Sequence, residues 1–136
     1  MKEARAKEYA DHFEHMESTL KGLPEWPGDE VKREADIQSI RACVDESLNL
    51  ARMILKDLGH ELAEDEQNLV TLQDELILTD AMMDRMRAAI AFRDQLLSGS
   101  TELDGVILME KIEHVKFTLL ELMDLLREVI EDYLVD

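Results

Sequence analysis

Arg93 lies on an apolar helix face, where a charged side chain requires a partner. Residues at steps of four and three form this face, namely Met82, Met86, Ala89, Arg93 and Leu97. A guanidinium stays charged at any ordinary pH, and burying it without a partner is costly. We therefore expect Arg93 to meet a carboxylate, a wet groove or a subunit interface, and we take it as the first candidate for a functional residue.

Three pairs of titratable residues are candidates for metal binding, namely His12 and His15, Asp57 and His60, and Glu113 and His114. Four-helix di-metal proteins use a Glu-x-x-His motif on two helices together with two further carboxylates. The sequence contains no Glu-x-x-His, and the pair of Asp57 and His60 straddles a predicted helix end. We therefore predict surface histidines, with no metal and no cofactor.

Two pairs of carboxylates are similar to the motifs of all-α nucleotide pyrophosphohydrolases, Glu61-x-x-Glu64 and Glu121-x-x-Asp124. Such enzymes hold magnesium through carboxylates on neighbouring helices. In a chain with 32 Asp and Glu residues, pairs at this spacing also arise by chance. A magnesium-dependent nucleotide pyrophosphohydrolase stays as the second alternative function.

The composition indicates one helical domain. The chain has 136 residues, of which 46% are hydrophobic and 35% charged, with two prolines and five glycines. We predict a single all-α domain over residues 1–136. Cys43 is the one cysteine, so a disulfide framework is excluded, and we predict that it is a buried apolar residue.

The charge and the lack of a long apolar run limit the partners and the location. The net charge of −17 repels nucleic acid, so RNA is a possible but disfavoured partner. The N-terminus is charged, and the apolar runs are too short to span a membrane. We therefore expect a cytoplasmic protein with no membrane partner.

Helical periodicity divides the domain into an N-terminal helix (1–22), a Pro/Trp turn (23–29) and a core bundle (30–136). The buried face of the first helix is predicted to hold Tyr9, Phe13, Met16 and Leu20. Gly22 is predicted to end this helix, and Trp26 in the turn is expected to fold back onto the core.

The core bundle is predicted to contain a long second helix, a short helix, the Arg93 helix and a long final helix. The predicted N-caps of these helices are Asp29 or Asp36, Thr79 or Asp80, and Thr101. The short helix is predicted to bury Leu69, Leu72 and Leu76. The pattern as a whole predicts an up-and-down bundle of four to five helices.

The final helix is apolar on two flanks. Its main stripe alternates steps of four and three through Leu108, Ile112, Val115, Leu119, Leu122, Leu126, Val129 and Tyr133. The second flank holds Phe117, Leu120, Met123 and Leu125. We predict that this flank packs against a second copy in a two-fold homodimer, whereas the alternative is a central helix surrounded by its own chain.

Several short stretches between residues 35 and 134 have sequences, and an order along the chain, that can be compared with those of known families. They are 40–42, 45–51, 54–59, 76–78, 86–94 and 102–104, followed by the long final helix. In this order the chain resembles the HEPN superfamily, in particular its short HepT-like branch. The resemblance predicts an all-α, HEPN-like bundle.

The core motif of that branch reads Gly-Phe-Arg-Asn, then three residues, His, one residue and Tyr. Phe92 and Arg93 match this motif. The other motif positions hold Ala91 for Gly, Asp94 for Asn, Ser98 for His and Ser100 for Tyr. The resemblance thus marks Arg93, Asp94, Ser98 and Ser100 as the candidate catalytic positions.

The resemblance also implies an activity and two partners. Members of the branch are homodimers whose two motifs face each other across the subunit interface. Active members are metal-independent ribonucleases that use the 2′-hydroxyl of RNA as the nucleophile, with Arg and His at the scissile phosphate. They commonly pair with a minimal nucleotidyltransferase antitoxin, which silences them and can modify the motif tyrosine.

The substitutions in this chain predict loss of that chemistry. Ser98 cannot replace the histidine, because an unassisted hydroxyl is a very weak base. Asp94 places a carboxylate where it repels a phosphate, and it could pair with Arg93 of the partner subunit. We therefore predict a catalytically degenerate HepT-like protein that acts as a dimeric partner of a minimal nucleotidyltransferase in a toxin–antitoxin type system. An active metal-independent ribonuclease toxin is the first alternative.

Overall fold

Every regular element in the described part of the chain is helical. The computed structural model describes residues 2–24, 28–97 and 105–134. Within them, α1 covers Glu3–Lys21, α2 covers Glu30–Asp57, α3 covers Asp65–Asp74, α4 covers Asp80–Leu97 and α5 covers Gly105–Val129. A π-helical turn, Ile130–Leu134, continues α5. The predicted all-α class is confirmed, whereas Trp26, Ser98, Ser100 and Thr101 lie outside the described residues.

Two contacts show that α1 and α2 run antiparallel. Arg5 near the start of α1 contacts Asp57 at the end of α2, with Nε and Oδ2 2.9 Å apart. His12, farther along α1, contacts Glu46 farther back on α2 at 3.1 Å. Contacts of this kind at two points fix the register of the two helices.

The long helices alternate in direction around the bundle. Arg85 at the start of α4 pairs with Glu121 in the second half of α5, and the Lys111 ammonium near the start of α5 lies 5.9 Å from the Phe92 ring centroid. The helices α4 and α5 are therefore antiparallel. The short α3 packs against both α2 and α4. These directions confirm the predicted up-and-down bundle.

The core is built from the apolar stripes predicted by periodicity. The helix α2 packs against each of the other four α-helices and lies at the centre of the core. The predicted face of α1 is buried, through Tyr9, Phe13, Met16 and Leu20. The stripe of α5 is buried from Leu108 to Val129. Tyr133 is an exception at 72% exposed, because the π-helical turn shifts the register and places Ile130 against the core instead.

Two leucines predicted to lie on buried stripes are exposed. Leu76 is 92% exposed and has a φ of +63°, because α3 ends at Asp74 and the chain leaves the helix before reaching it. Leu97 is 55% exposed, whereas Leu96 beside it is 4% exposed and buried. The helical repeat of 3.6 residues moves the buried stripe of α4 to Leu96 at this end of the helix.

Side chains and one glycine fix the helix ends. Asp29 caps α2, since its carboxylate accepts a hydrogen bond from the backbone N–H of Lys32 at 2.8 Å. Asp36, the alternative cap, lies inside α2, where burial raises the pKa of its carboxyl. Thr79 caps α4 through the N–H of Met82 at 3.2 Å. Gly59 follows α2 with a φ of +91°, a conformation that favours glycine.

The second apolar flank of α5 does not form one exposed surface. Met123 is 1% exposed and belongs to the core, so its predicted place at a subunit interface is corrected. Leu120 and Leu125 are partly buried against the same core, whereas Phe117 is 56% exposed. The reason is that α5 packs against α1, α2 and α4, and three neighbours cover a wide arc of the helix.

None of the helices in the described ranges combines the length and the apolar character needed to cross a bilayer.

Asp57 ties α1 to α2 through two partners. Arg5 donates to its carboxylate from Nε and Nη2 at 2.9 and 3.2 Å, and the Tyr9 hydroxyl donates at 2.5 Å. Burial raises the pKa of Asp57, but the hydrogen bonds from Arg5 and Tyr9 outweigh burial and hold the pKa below its usual value. Burial and the contact with Asp57 raise the pKa of Tyr9.

We expect Asp57→Asn to lower the free energy of unfolding at neutral pH by about 1–2 kcal/mol, because the three hydrogen bonds from Arg5 and Tyr9 lose their charged acceptor. The pKa of Asp57 is lower in the folded chain than in the unfolded chain. The stabilisation is therefore complete above the unfolded value of about 4 and is lost as the pH falls through the folded value. Urea unfolding of both proteins across this range measures the difference.

The matched control is Asp11→Asn, since Asp11 is exposed and pairs with the exposed Lys7. This change is expected to alter stability by less than about 0.5 kcal/mol at any pH. A difference between wild type and Asp57→Asn that stays constant down to the lowest pH would contradict the assigned role of Asp57.

Candidate functional site

Arg93 extends from the edge of the core toward α2. The apolar residues of α4 that precede it, Met82, Met86 and Ala89, are buried and fix the rotation of the helix. Arg93 lies one turn beyond Ala89, and its side chain is 16% exposed. The packing of α4 therefore brings a mostly buried guanidinium to the boundary between α4 and α2.

Two carboxylates hold this guanidinium. Its Nη1 donates to Oδ1 of Asp45 on α2 at 2.9 Å. Its Nε and Nη2 both donate to Oδ1 of Asp94 at 3.1 and 3.0 Å. One positive charge thus faces two negative charges, so the site as a whole is negative.

The pKa of Arg93 lies above its ordinary value. Burial lowers this pKa, but the hydrogen bonds to Asp94 and Asp45 and the charges of both carboxylates outweigh burial. The guanidinium therefore keeps its proton and cannot act as a general acid or base. Its chemistry is limited to binding anions, and two anions of the chain already occupy it.

Of the three surroundings predicted for Arg93, the structure shows carboxylate partners, but sequence reasoning missed the identity of one of them. Asp45 is 48 residues away from Arg93 along the chain. From the sequence, a contact of Asp94 with Arg93 of the partner subunit was left open; in the structure, Asp94 contacts Arg93 of its own chain. In the sequence, the feature that could have pointed to Asp45 is its position directly after Val44, at the edge of the buried apolar stripe of α2.

His114 belongs to α5 and lies next to a different part of the α4 surface from the one that carries Arg93. It lines a groove between α4 and α5 together with Phe92. Consecutive residues of an α-helix point about 100° apart, so Phe92 and Arg93 face different neighbours. Ser98 and Ser100 fall outside the described residues. Within the described residues, the hydrogen-bond partners of Arg93 are the two carboxylates.

The other three histidines contact carboxylates of neighbouring elements. The Nδ1 atoms of His12 and His15 each lie 3.1 Å from the Glu46 carboxylate. The Nε2 of His60 lies 3.2 Å from Glu75. Across residues 2–24, 28–97 and 105–134, no group of three or more His, Cys, Asp or Glu is arranged to hold a metal ion.

The carboxylate pairs do not form a helical magnesium motif. Glu61 and Glu64 lie in the segment between α2 and α3, which is not helical. Glu121 pairs with Arg85, and Asp124 pairs with Arg127. A pyrophosphohydrolase site needs both pairs on neighbouring helices, so the geometry contradicts this interpretation of the four residues.

Cys43 is buried, as predicted from the sequence. It is 1% exposed, and burial, followed by the nearby charge of Glu46, raises the pKa of its thiol to about 11. Because the thiolate is the reactive form of cysteine, Cys43 is a packing residue and not a nucleophile.

Comparison with known proteins identified a matching family model and two similar proteins. The family model described as Ribonuclease HepT-like matches residues 6–129. Two similar proteins from Archaeoglobus fulgidus both carry the name "Putative RNase". One is 20% identical over 93% of this chain and 96% of its own length, and the other is 25% identical over 88% of this chain and 89% of its own. No solved structure matches.

The matched region contains most of α1, the whole of α2 to α5, and the Phe92–Arg93 pair at the end of α4. The two relatives align along nearly their full lengths, so the likeness concerns the whole bundle and not one segment. The chain belongs to the HepT-like ribonuclease family.

Proposed function

We propose that this chain is a catalytically degenerate HepT-like protein. In this proposal it acts in the cytoplasm as a homodimeric partner of a minimal nucleotidyltransferase, within a toxin–antitoxin type system. The observation that supports degeneracy is that the Arg93 guanidinium is held by two carboxylates of the chain, Asp45 and Asp94. Arg93 stands at the position of the family's phosphate-binding arginine.

Electrostatics makes this arrangement unfavourable for RNA cleavage. A phosphodiester entering the site has to displace at least one carboxylate from Arg93 and meets two negative charges. The net charge of −17 adds a longer-range repulsion. Binding of the scissile phosphate is thus weakened before any chemical step.

The motif also lacks a group for proton transfer. Cleavage by the 2′-hydroxyl requires a base that removes its proton and an acid that protonates the leaving 5′-oxygen. Ser98 stands where the family has histidine and has no pKa near neutrality to serve either role. Loss of such a group costs about 10²–10⁴-fold in rate.

An active ribonuclease is the second candidate function. Two facts favour it: the chain belongs to a ribonuclease family, and Arg93 is retained at the motif position. This candidate requires another residue to act as the acid–base group beside Arg93.

An RNA cleavage assay in EDTA separates the two functions. We expect wild type to cleave single-stranded RNA no faster than Arg93→Ala. We expect the double variant Ser98→His and Asp94→Asn to gain activity, because it restores an acid–base group and removes one carboxylate from Arg93. The gain can reach about 10²–10⁴-fold and should vanish when Arg93→Ala is added.

The matched control for this assay is Asp94→Asn alone, which changes the charge at Arg93 without supplying a histidine. It is expected to stay inactive. Metal-independent cleavage by wild type that is abolished by Arg93→Ala would contradict degeneracy and establish the ribonuclease.

The partner proposal is tested by the mass of the purified complex. We expect light scattering to give the mass of two copies for the chain alone, and affinity purification from the source cell to add a nucleotidyltransferase. Phe117→Asp is expected to weaken the dimer, since Phe117 is the exposed residue of the α5 flank at 56%. Val31→Asp is the control, because Val31 is 81% exposed on a different helix.

A monomer at micromolar concentration would contradict the dimer. Purified material that contains the dimer without a nucleotidyltransferase would contradict the partner proposal while leaving the dimer intact.

A further inference from the structure

A groove between α4 and α5 lies next to the Arg93 site, on the part of the α4 surface that carries Phe92. Its volume is about 300 Å³, which is the lower end of the range for small-molecule sites, about 300–1,000 Å³. The apolar part of its lining consists of Ala88, Ala89, Phe92 and Val115. The two alanines leave the groove open, because neither side chain is long enough to fill the space between the helices.

Nitrogen-bearing side chains stand on both sides of this apolar floor. Arg85 comes from α4, and Lys111 and His114 come from α5. Lys111 and His114 are three residues apart, so they are neighbours on one face of α5. The groove therefore has an apolar centre with basic groups from both of its walls.

The two cations differ in how their charge is compensated. Arg85 pairs with Glu121 at 2.5 Å, and its Nε donates to Thr118 Oγ1 at 3.4 Å. Lys111 forms no ion pair with a carboxylate of the described residues, and its ammonium lies 5.9 Å from the Phe92 ring centroid. Glu110 also lines the groove, but no ion pair joins it to Lys111.

Lys111 differs in this respect from four arginines of the described chain. Arg5, Arg87, Arg93 and Arg127 each contact two carboxylates, and the net charge is −17. The ammonium of Lys111, held over an apolar floor, is thus a place where a negative charge from outside the chain is favourable.

We propose that this groove binds a small organic anion with a planar, apolar body. The ring system packs against Phe92 and Val115, and the carboxylate or sulfonate group contacts Lys111 and His114. A polyanion is disfavoured by the overall charge, which acts on each of its charges, whereas a small anion carries one. A second protein chain needs about 800 Å² per partner, much more than this floor offers.

Two naphthalene probes of equal size test the proposal, 1-naphthylacetate and its neutral analogue 1-naphthylacetamide. Titration of the isotope-labelled chain, followed by amide NMR shifts, gives an affinity and a location for each probe. We expect shifts confined to α4 and α5, and an affinity for the acetate at least about fivefold higher than for the amide, because the charge-assisted contact with Lys111 is available to the anion alone.

Three variants locate the interaction. Lys111→Gln is expected to weaken the acetate about 5–10-fold and to leave the amide unchanged. Ala88→Leu is expected to weaken both probes about tenfold or more by filling the groove, and leucine is as compatible with a helix as alanine within a few tenths of a kcal/mol. Lys7→Gln is the control, since it removes the same charge from an exposed site on α1.

Equal affinities for the two probes would overturn the proposal. Amide shifts outside α4 and α5, or no shifts at millimolar 1-naphthylacetate, would overturn it too. An unchanged affinity in Ala88→Leu would overturn it as well. The amide spectrum of each variant reports whether it is folded. Conversion of a dimer into a monomer by Ala88→Leu, measured by sedimentation, would assign the groove to a second chain and also overturn the proposal.

Discussion

The ion pair between Arg93 and Asp45 joins α4 to α2, the helix that packs against all the other α-helices of the described chain. The sequence carries 32 acidic residues against 15 Lys and Arg, so the bundle depends on cations that hold carboxylates of different helices together. Arg5 does so between α1 and α2, and Arg127 between α5 and α1. Arg93 belongs to this set, and the contact that joins α4 to α2 also occupies the guanidinium at which we propose that nuclease chemistry has been lost.

Periodicity alone predicted the helices and most of the core, because a buried helix face requires apolar residues at steps of three and four. It also predicted that Arg93 meets a carboxylate, a wet groove or a subunit interface. It could not identify Asp45, because the contact between α2 and α4 is set by packing over 48 residues of sequence separation. Met123 was assigned to the wrong neighbour for a related reason, since an apolar residue does not specify whether its own chain or a second chain covers it.

Two consecutive residues of α4 lie on different parts of its surface and have different roles. Phe92 forms the floor of the groove against α5, whereas Arg93 faces α2 and its carboxylates. The helical rotation of about 100° per residue separates them. The loss of nuclease chemistry that we propose at Arg93 therefore leaves the groove intact, and a chain of this family can lose one site while it keeps a binding surface one residue away.

The accessibility of the Arg93 guanidinium to phosphate tests the central claim most directly. Nitrogen-15 NMR of the arginine Nε–H groups, recorded while inorganic phosphate is added to millimolar concentration, reports on this residue alone once its signal is assigned through Arg93→Lys. The account predicts that the Arg93 signal does not move in wild type and moves in the double variant Asp45→Asn and Asp94→Asn. A wild-type signal that shifts and saturates with phosphate would contradict the account, because it would show a guanidinium free to bind the group that a ribonuclease must hold.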